Sequence, residues 1–132
     1  MNLVLDTHAV IWYLLDDPQL PTPIGRMIDE AAKVGDSVFV SAISMVEIVY
    51  LAERGRIAQE SYDRLARELD DDMSAFVLAS VDADVVQQMR HVRRSAVPDM
   101  PDRIIAATAL HLDSPLVTRD RRLQHLGIRT LW

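Results

Sequence analysis

The chain has 132 residues, 49% of them hydrophobic and 26% charged, with no cysteine. That is enough for one domain around a single core and too few for two, and it excludes disulfides, thiolate metal sites and a cysteine nucleophile together. The net charge of −6 comes with a marked asymmetry. Residues 1–87 hold 16 acids against 6 bases, whereas residues 88–132 hold 4 acids against 8 bases, all arginine.

In chain order, Asn2 to Leu5 predicts a short buried strand and Thr7 to Leu15 a helix stopped by Asp16-Asp17-Pro18. A second helix runs to about Lys33, followed by a strand at Ser37 to Val40. Ile43 to Arg54 predicts a helix ended by Gly55, and Gln59 to Asp72 an amphipathic one. Phe76 to Val81 is the third strand, with Asp82 capping a helix from Ala83 to Arg94. After Pro98 to Pro101 comes a helix to Leu112, then a strand at Leu116 to Thr118, a short helix at Arg121 to Leu126, and a last strand at Ile128 to Trp132. Strands alternating with helices predict an α/β fold with a parallel sheet covered on both faces, in one domain spanning 1–132. No repeat, linker or low-complexity tract interrupts it.

No apolar run approaches the ~18 residues that span a bilayer. The opening Met1-Asn2-Leu3-Val4 lacks the basic start of a signal peptide. A cytoplasmic protein with no membrane partner is the expectation.

Four acids stand where a charge is awkward. Asp6 ends the run Leu3-Val4-Leu5, Asp120 follows the run Leu116-Val117-Thr118 by one residue, Glu47 interrupts an apolar helix, and Asp102 opens another. In open parallel sheets, ligands bind outside the carboxyl ends of the strands where strand order reverses, and all four positions can reach such a crevice. Carboxylates gathered there repel and take up protons unless a cation intervenes. Mg²⁺ or Mn²⁺, which prefer oxygen ligands, suit such a set. Each acid also has a structural use: Asp6 and Asp120 as helix caps, Asp102 at a helix dipole, Glu47 in a capping box with Ser44. Glu47 falls in register with Ile43, Tyr50 and Leu51, on a stripe expected to face the core.

Leu5-Asp6-Thr7-His8 resembles the opening of PIN domains, and specifically of VapC-type toxins of bacterial toxin–antitoxin pairs. Ser41 to Ile48 (SAISMVEI), Pro101 to Ala109 (PDRIIAATA), Leu116 to Asp120 (LVTRD) and the closing Arg129 to Trp132 (RTLW) agree in order and spacing, over the whole chain. The resemblance implies a three-layer fold with a five-stranded parallel sheet, and a Mg²⁺- or Mn²⁺-dependent ribonuclease. It also implies a homodimer, RNA as substrate, and a cognate VapB-type antitoxin that blocks the site. Carried over by motif, Asp6, Glu47, Asp102 and Asp120 are the catalytic and metal-binding quartet, with Thr7, Ser41 and Thr118 as hydroxyl neighbours.

Arg90, Arg93, Arg94, Arg119, Arg121 and Arg122 are candidates for a basic rim that meets the phosphate backbone. His8 stands beside Asp6 and is a candidate substrate contact. His91, His111 and His125 show no metal-ligand spacing, and His111 is expected half-buried. Trp12 is expected in the core. A receiver-like phosphoacceptor domain is the competing enzyme-class reading, but it resembles a pattern with paired acids after strand one and a late lysine. Here Thr7 and His8 follow Asp6, and no lysine follows Lys33. A PIN-like interaction module without catalysis is the other alternative.

Overall fold

Leu3, Val4 and Leu5 form the central strand β1 of the computed structural model, which describes all 132 residues. β1 pairs in parallel with β2 (Val38–Ser41) on one side and β4 (Leu116–Val117) on the other. β3 (Phe76–Ala79) and β5 (Thr130–Leu131) form the two edges, so the strand order is β3-β2-β1-β4-β5, all parallel. A strand buried on both faces reads as an unbroken apolar run, which is what β1 shows.

Alternation along β1 splits the core in two. Leu3 and Leu5 face a layer built by α1 (Thr7–Leu14), α2 (Thr22–Lys33), α3 (Ala42–Glu53) and α4 (Glu60–Asp70), where Val10, Ile28, Ile48 and Leu65 are buried. Val4 faces the opposite layer of α5 (Ala83–Met89), α6 (Met100–His111) and the 3₁₀ segment Arg121–Leu126, where Val85, Ile105 and Leu123 are buried. Each fully buried aliphatic side chain contributes about 1.5–3 kcal/mol through removal from water. The result is the three-layer α/β arrangement expected from the alternating pattern.

Four details differ from the sequence expectations. α5 ends at Met89 rather than at Arg94. There Arg103 reaches across from α6 and donates from Nε to the Val92 carbonyl at 2.8 Å and from Nη2 to the Met89 carbonyl at 3.0 Å. Those carbonyls gain a charged donor, and the turn they form replaces a further helical turn. α3 begins one residue earlier than expected, at Ala42, with Ser41 as its cap, so Ser44 and Glu47 form no capping box. The buried face of α3 carries Ser44, Ile48 and Ala52; Tyr50 is exposed and Glu47 half-buried, off the stripe expected from their spacing. His111 is exposed, at the end of α6.

β1, β2 and β3 build outwards in one direction, and β4 returns to the other side of β1. The carboxyl ends of β1 and β4 are therefore the reversal point, and Asp6 and Thr118 are the residues that leave them.

Candidate active site

Asp6 caps α1, its Oδ1 accepting from the Ala9 backbone N–H at 2.9 Å. The bond fixes one carboxylate oxygen, so a role as cap and a role in a site coexist. Asp102 occupies the first turn of α6, where Asp99 is the cap and accepts from the Asp102 N–H at 3.1 Å. Asp120 caps the 3₁₀ segment through the Arg122 N–H at 3.0 Å. Asp6, Asp102 and Asp120 line one cleft of about 190 Å³ at the reversal point, together with His8, Thr118 and Arg119.

Glu47 approaches from α3. Its Oε1 lies 2.5 Å from the buried Thr7 hydroxyl, which is also 2.9 Å from the buried Ser44 hydroxyl. A chain of two hydroxyls thus fixes one oxygen of Glu47. Thr118, buried, offers its oxygen to the Asp120 N–H at 3.1 Å, while its hydroxyl hydrogen bond favours charged Asp6. Of the expected hydroxyl neighbours, Thr7 and Thr118 touch the acids. Ser41 is fully buried as the cap of α3 and is not a cleft residue.

The electrostatics separate the quartet into three and one. Burial pushes Asp6 above its ordinary value, against the opposing pull of Thr118, Ala9, His8 and Arg119. Burial likewise raises Glu47, helped by repulsion from Asp99 and Asp6 and opposed by Thr7 and His8. Asp102 is pushed up to about 7, first by burial and then by Asp99, Glu47 and Asp6. Asp120 moves the other way, because the Arg122 guanidinium bonds both its oxygens and favours the charged form. Asp99 belongs to this cluster as a fifth carboxylate. It caps α6 three residues before Asp102, so their repulsion is local, whereas its repulsion of Glu47 depends on how α6 meets α3.

No three acids or histidines close around a single point that could hold a metal ion. Mg²⁺, however, keeps several waters and is commonly held by one or two carboxylates together with substrate phosphate oxygens. The acids at the cleft offer hard oxygens, and Asp6 and Asp102, with Glu47 beside them, are disfavoured as isolated charges, the situation a divalent cation relieves. The set fits such an ion, with Asp6 and Asp102 as the acids that face the cleft unpaired.

The sheet order, the reversal-point cleft and its acids describe a known kind of domain. A family model described as PIN domain matches residues 3–128. The chain belongs to the PIN-domain family. This PIN domain is 32% identical over 136 residues to Ribonuclease VapC22 of Mycobacterium tuberculosis (strain ATCC 25618 / H37Rv), covering 99% of this chain and 98% of that protein. Among solved structures it resembles VapBC2 from Rickettsia felis bound to a DNA fragment from the promoter, with a TM-score of 0.75 at 16% identity over 99% of this chain and 98% of that one. It also resembles DNA-bound VapBC from Salmonella typhimurium, with a TM-score of 0.70 at 20% identity over 99% and 97% of the two chains. At those identities the structural likeness is one of fold.

The arginines of the PIN domain divide by position. Arg119 lines the cleft, its guanidinium 4.9 Å from the ring centre of Trp12. Arg122 is committed to Asp120. Arg90, Arg93 and Arg94 are exposed in the turn between α5 and α6, and Arg121 is exposed on the 3₁₀ segment, all without an ion-pair partner. Trp12 is buried as expected, while Trp132, the last residue of the closing motif, lies in the cleft wall. Its place there depends on β5 ending beside β4, which no local pattern around Trp132 reports.

Proposed function

We propose that this PIN domain is a divalent-metal-dependent endoribonuclease, the toxin of a VapBC-type toxin–antitoxin pair. The observation that carries the reading is the convergence of Asp6, Asp102 and Asp120 on one cleft at the reversal point of the sheet, with Glu47 near enough to raise the proton affinity of Asp102. Such a cluster disfavours its own charge and is completed by a cation rather than by another side chain. The name of the M. tuberculosis relative supports ribonuclease chemistry. The VapBC complexes among the fold neighbours support an antitoxin partner.

Asp6 and Asp102 are the residues assigned to hold Mg²⁺ or Mn²⁺, with Glu47 beside them and Asp120 held in reserve by Arg122. A bound divalent cation supplies Lewis acidity toward a phosphate oxygen and lowers the pKa of a bound water. The chain's own residues do the rest. Thr7 holds Glu47 in one orientation, and the Thr118 hydrogen bond favours the charged form of Asp6 against the burial that disfavours it. Arg119 brings positive charge to the cleft beside Asp6, Asp102 and Asp120, which favours approach of a phosphate. The homodimer, the cytoplasmic setting and the wider arginine rim belong to the same proposal.

The receiver-like alternative finds no support at the site, where no lysine is present. The test is cleavage of single-stranded RNA by purified protein, with Mn²⁺ or with chelator. Wild type should cleave only with metal, and Asp6→Asn should not cleave. Cleavage by Asp6→Asn at the wild-type rate would overturn the assignment. Failure of every metal-loaded preparation to cleave would favour the non-catalytic interaction module. Growth arrest on expression, relieved by Asp102→Asn and by co-expression of the neighbouring gene's product, tests the toxin role.

A further inference from the structure

The cleft that holds the acids has a second wall of different chemistry. Trp12, His8, Arg119 and Trp132 line it. They also pack on one another: His8 lies 5.4 Å from Trp12 between ring centres at a tilt of 49°, Trp132 lies 5.9 Å from Trp12 at a tilt of 58°, and Arg119 sits over the Trp12 ring. These groups come from the first two turns of α1 and from the chain just beyond β4 and β5, all at the carboxyl end of the sheet.

Trp12 is enclosed by this company, at 7% exposure, whereas Trp132 is 38% exposed and His8 is exposed too. Trp132 thus keeps much of its ring surface open, on a buried tryptophan floor and beside a guanidinium, which leaves room for a flat partner. Aromatic rings and guanidinium planes are the groups on which unpaired bases stack, and the preference is sequence-tolerant because every base has a π face.

We infer that the Trp132–Trp12–His8–Arg119 wall is a nucleobase platform. It holds one unpaired base of the RNA next to the phosphate that the acids receive, and so selects single-stranded substrate. The inference rests on the nuclease reading for its substrate class and adds the residues that set strandedness. One feature favours RNA over a protein partner here, and a second limits what fits to one base. The platform shares its cleft with Asp6, Asp102 and Asp120, within reach of one nucleotide. The cleft volume of about 190 Å³ lies below the roughly 300 Å³ at which drug-sized ligand sites begin, so it suits a single ring system and not a base pair.

The experiment uses the full chain carrying Asp102→Asn, which binds without cleaving, and a short oligoadenylate as probe. The chain has two tryptophans, so their fluorescence reports directly on the platform. Oligoadenylate should quench that fluorescence, and a duplex of the same length should not. Adding Trp132→Leu, which keeps an apolar contact on Trp12 but removes the flat ring, should weaken oligoadenylate binding by roughly 5- to 150-fold. Trp132→Phe should restore part of it. An abasic oligoribonucleotide of equal length should bind weakly and be indifferent to Trp132→Leu.

Equal binding of intact and abasic strands to the Asp102→Asn protein would overturn the platform, and this comparison stands even if a Trp132 variant fails to fold. Unchanged oligoadenylate binding by a folded Trp132→Leu variant would overturn it as well, and would leave Trp132 as a contact for another protein. The nuclease reading is judged separately, by metal-dependent cleavage with the otherwise wild-type chain. Loss of cleavage there with base-dependent binding intact would strike the activity and not the platform.

Discussion

Arg122 grips both carboxylate oxygens of Asp120, with Nε 3.0 Å from Oδ1 and Nη2 2.7 Å from Oδ2, while its backbone N–H caps onto the same Oδ1. Asp120 is therefore neutralised from within the chain, two residues away, while Asp6 and Asp102 are not. The Arg122 side chain is well exposed, so this pairing adds little to folding. Its consequence falls on the site: any cation that recruits Asp120 competes with a charged hydrogen-bonding partner already in place.

Arg122→Ala should accordingly leave the melting temperature nearly unchanged and tighten Mn²⁺ binding several-fold, measured by titration calorimetry. Arg121→Ala, one residue away and without an ion pair, is the control and should leave Mn²⁺ affinity as it was. Equal metal affinity in wild type and Arg122→Ala would remove Asp120 from the ligand set.

Asp102 gives the metal-free protein a pH dependence of definite sign. Its folded-state pKa of about 7 stands above its ordinary 3.8, so the folded protein binds more protons than the unfolded chain between those values. Stability must then fall as pH rises through that window and level off above it. Asp6 and Glu47, also raised, act in the same direction. The site is partly open, so the loss due to Asp102 should be of the order of 1–2 kcal/mol after allowance for solvent screening. Thermal melts of chelated protein should show a higher melting temperature at pH 5 than at pH 8. Asp102→Asn should flatten that difference and leave the fold at pH 8 as stable as wild type or more so. Mg²⁺ should stabilise wild type at pH 8 far more than at pH 5. A melting temperature that rose steadily from pH 5 to pH 8 would contradict the buried-carboxylate account.

Thr7 joins α1 to α3 through Glu47 and Ser44, and it is buried. Thr7→Val keeps the shape and removes the hydroxyl, leaving two polar partners without their shared bond. An unsatisfied buried group costs about 1–3 kcal/mol, and denaturant unfolding should show a loss of that size. Glu47 loses a hydrogen bond that favours its charge, so metal-dependent activity in Thr7→Val should shift toward higher pH. A variant as stable as wild type with an unmoved pH profile would mean that Thr7 does not position Glu47.

Much of this is legible in the sequence because it is local. Asp6, Asp82, Asp99 and Asp120 each sit one residue before a helix or 3₁₀ segment and cap it, and strand alternation decides which layer each β1 side chain faces. The reversal-point rule then places three of the quartet in one cleft. What escapes a reading of sequence are contacts between distant segments. Arg103 stops α5 from 11 and 14 residues away, where no propensity records it. The spacing of Glu47 points it toward the core, but the buried face of α3 follows Ser44 and Ile48, because Thr7 and the sheet lie on that side. The Arg122–Asp120 pair escapes for another reason. Charge alone points both residues outward toward ligands, and the capping turn that folds one back on the other is a backbone feature that charge does not report.

The arginine rim can be resolved by salt. Arg90, Arg93 and Arg94 are exposed and unpaired in the turn that leads into α6, and Arg119 faces the cleft. Each phosphate of a single-stranded RNA that an arginine no longer neutralises should reduce the slope of log affinity against log salt by about 0.7. Arg119→Ala should cost one such step and weaken binding most at low salt. Arg93→Ala with Arg94→Ala should cost up to two steps if the turn meets the backbone, and none if it is a solvated surface. Arg122→Ala should change the slope least, since its charge is already matched by Asp120. The measurement is fluorescence titration of labelled RNA over a range of KCl, in the Asp102→Asn background so that the strand stays intact. A slope unchanged by Arg119→Ala would place its guanidinium wholly in the service of Trp12, and the phosphate contacts would then belong to the turn before α6.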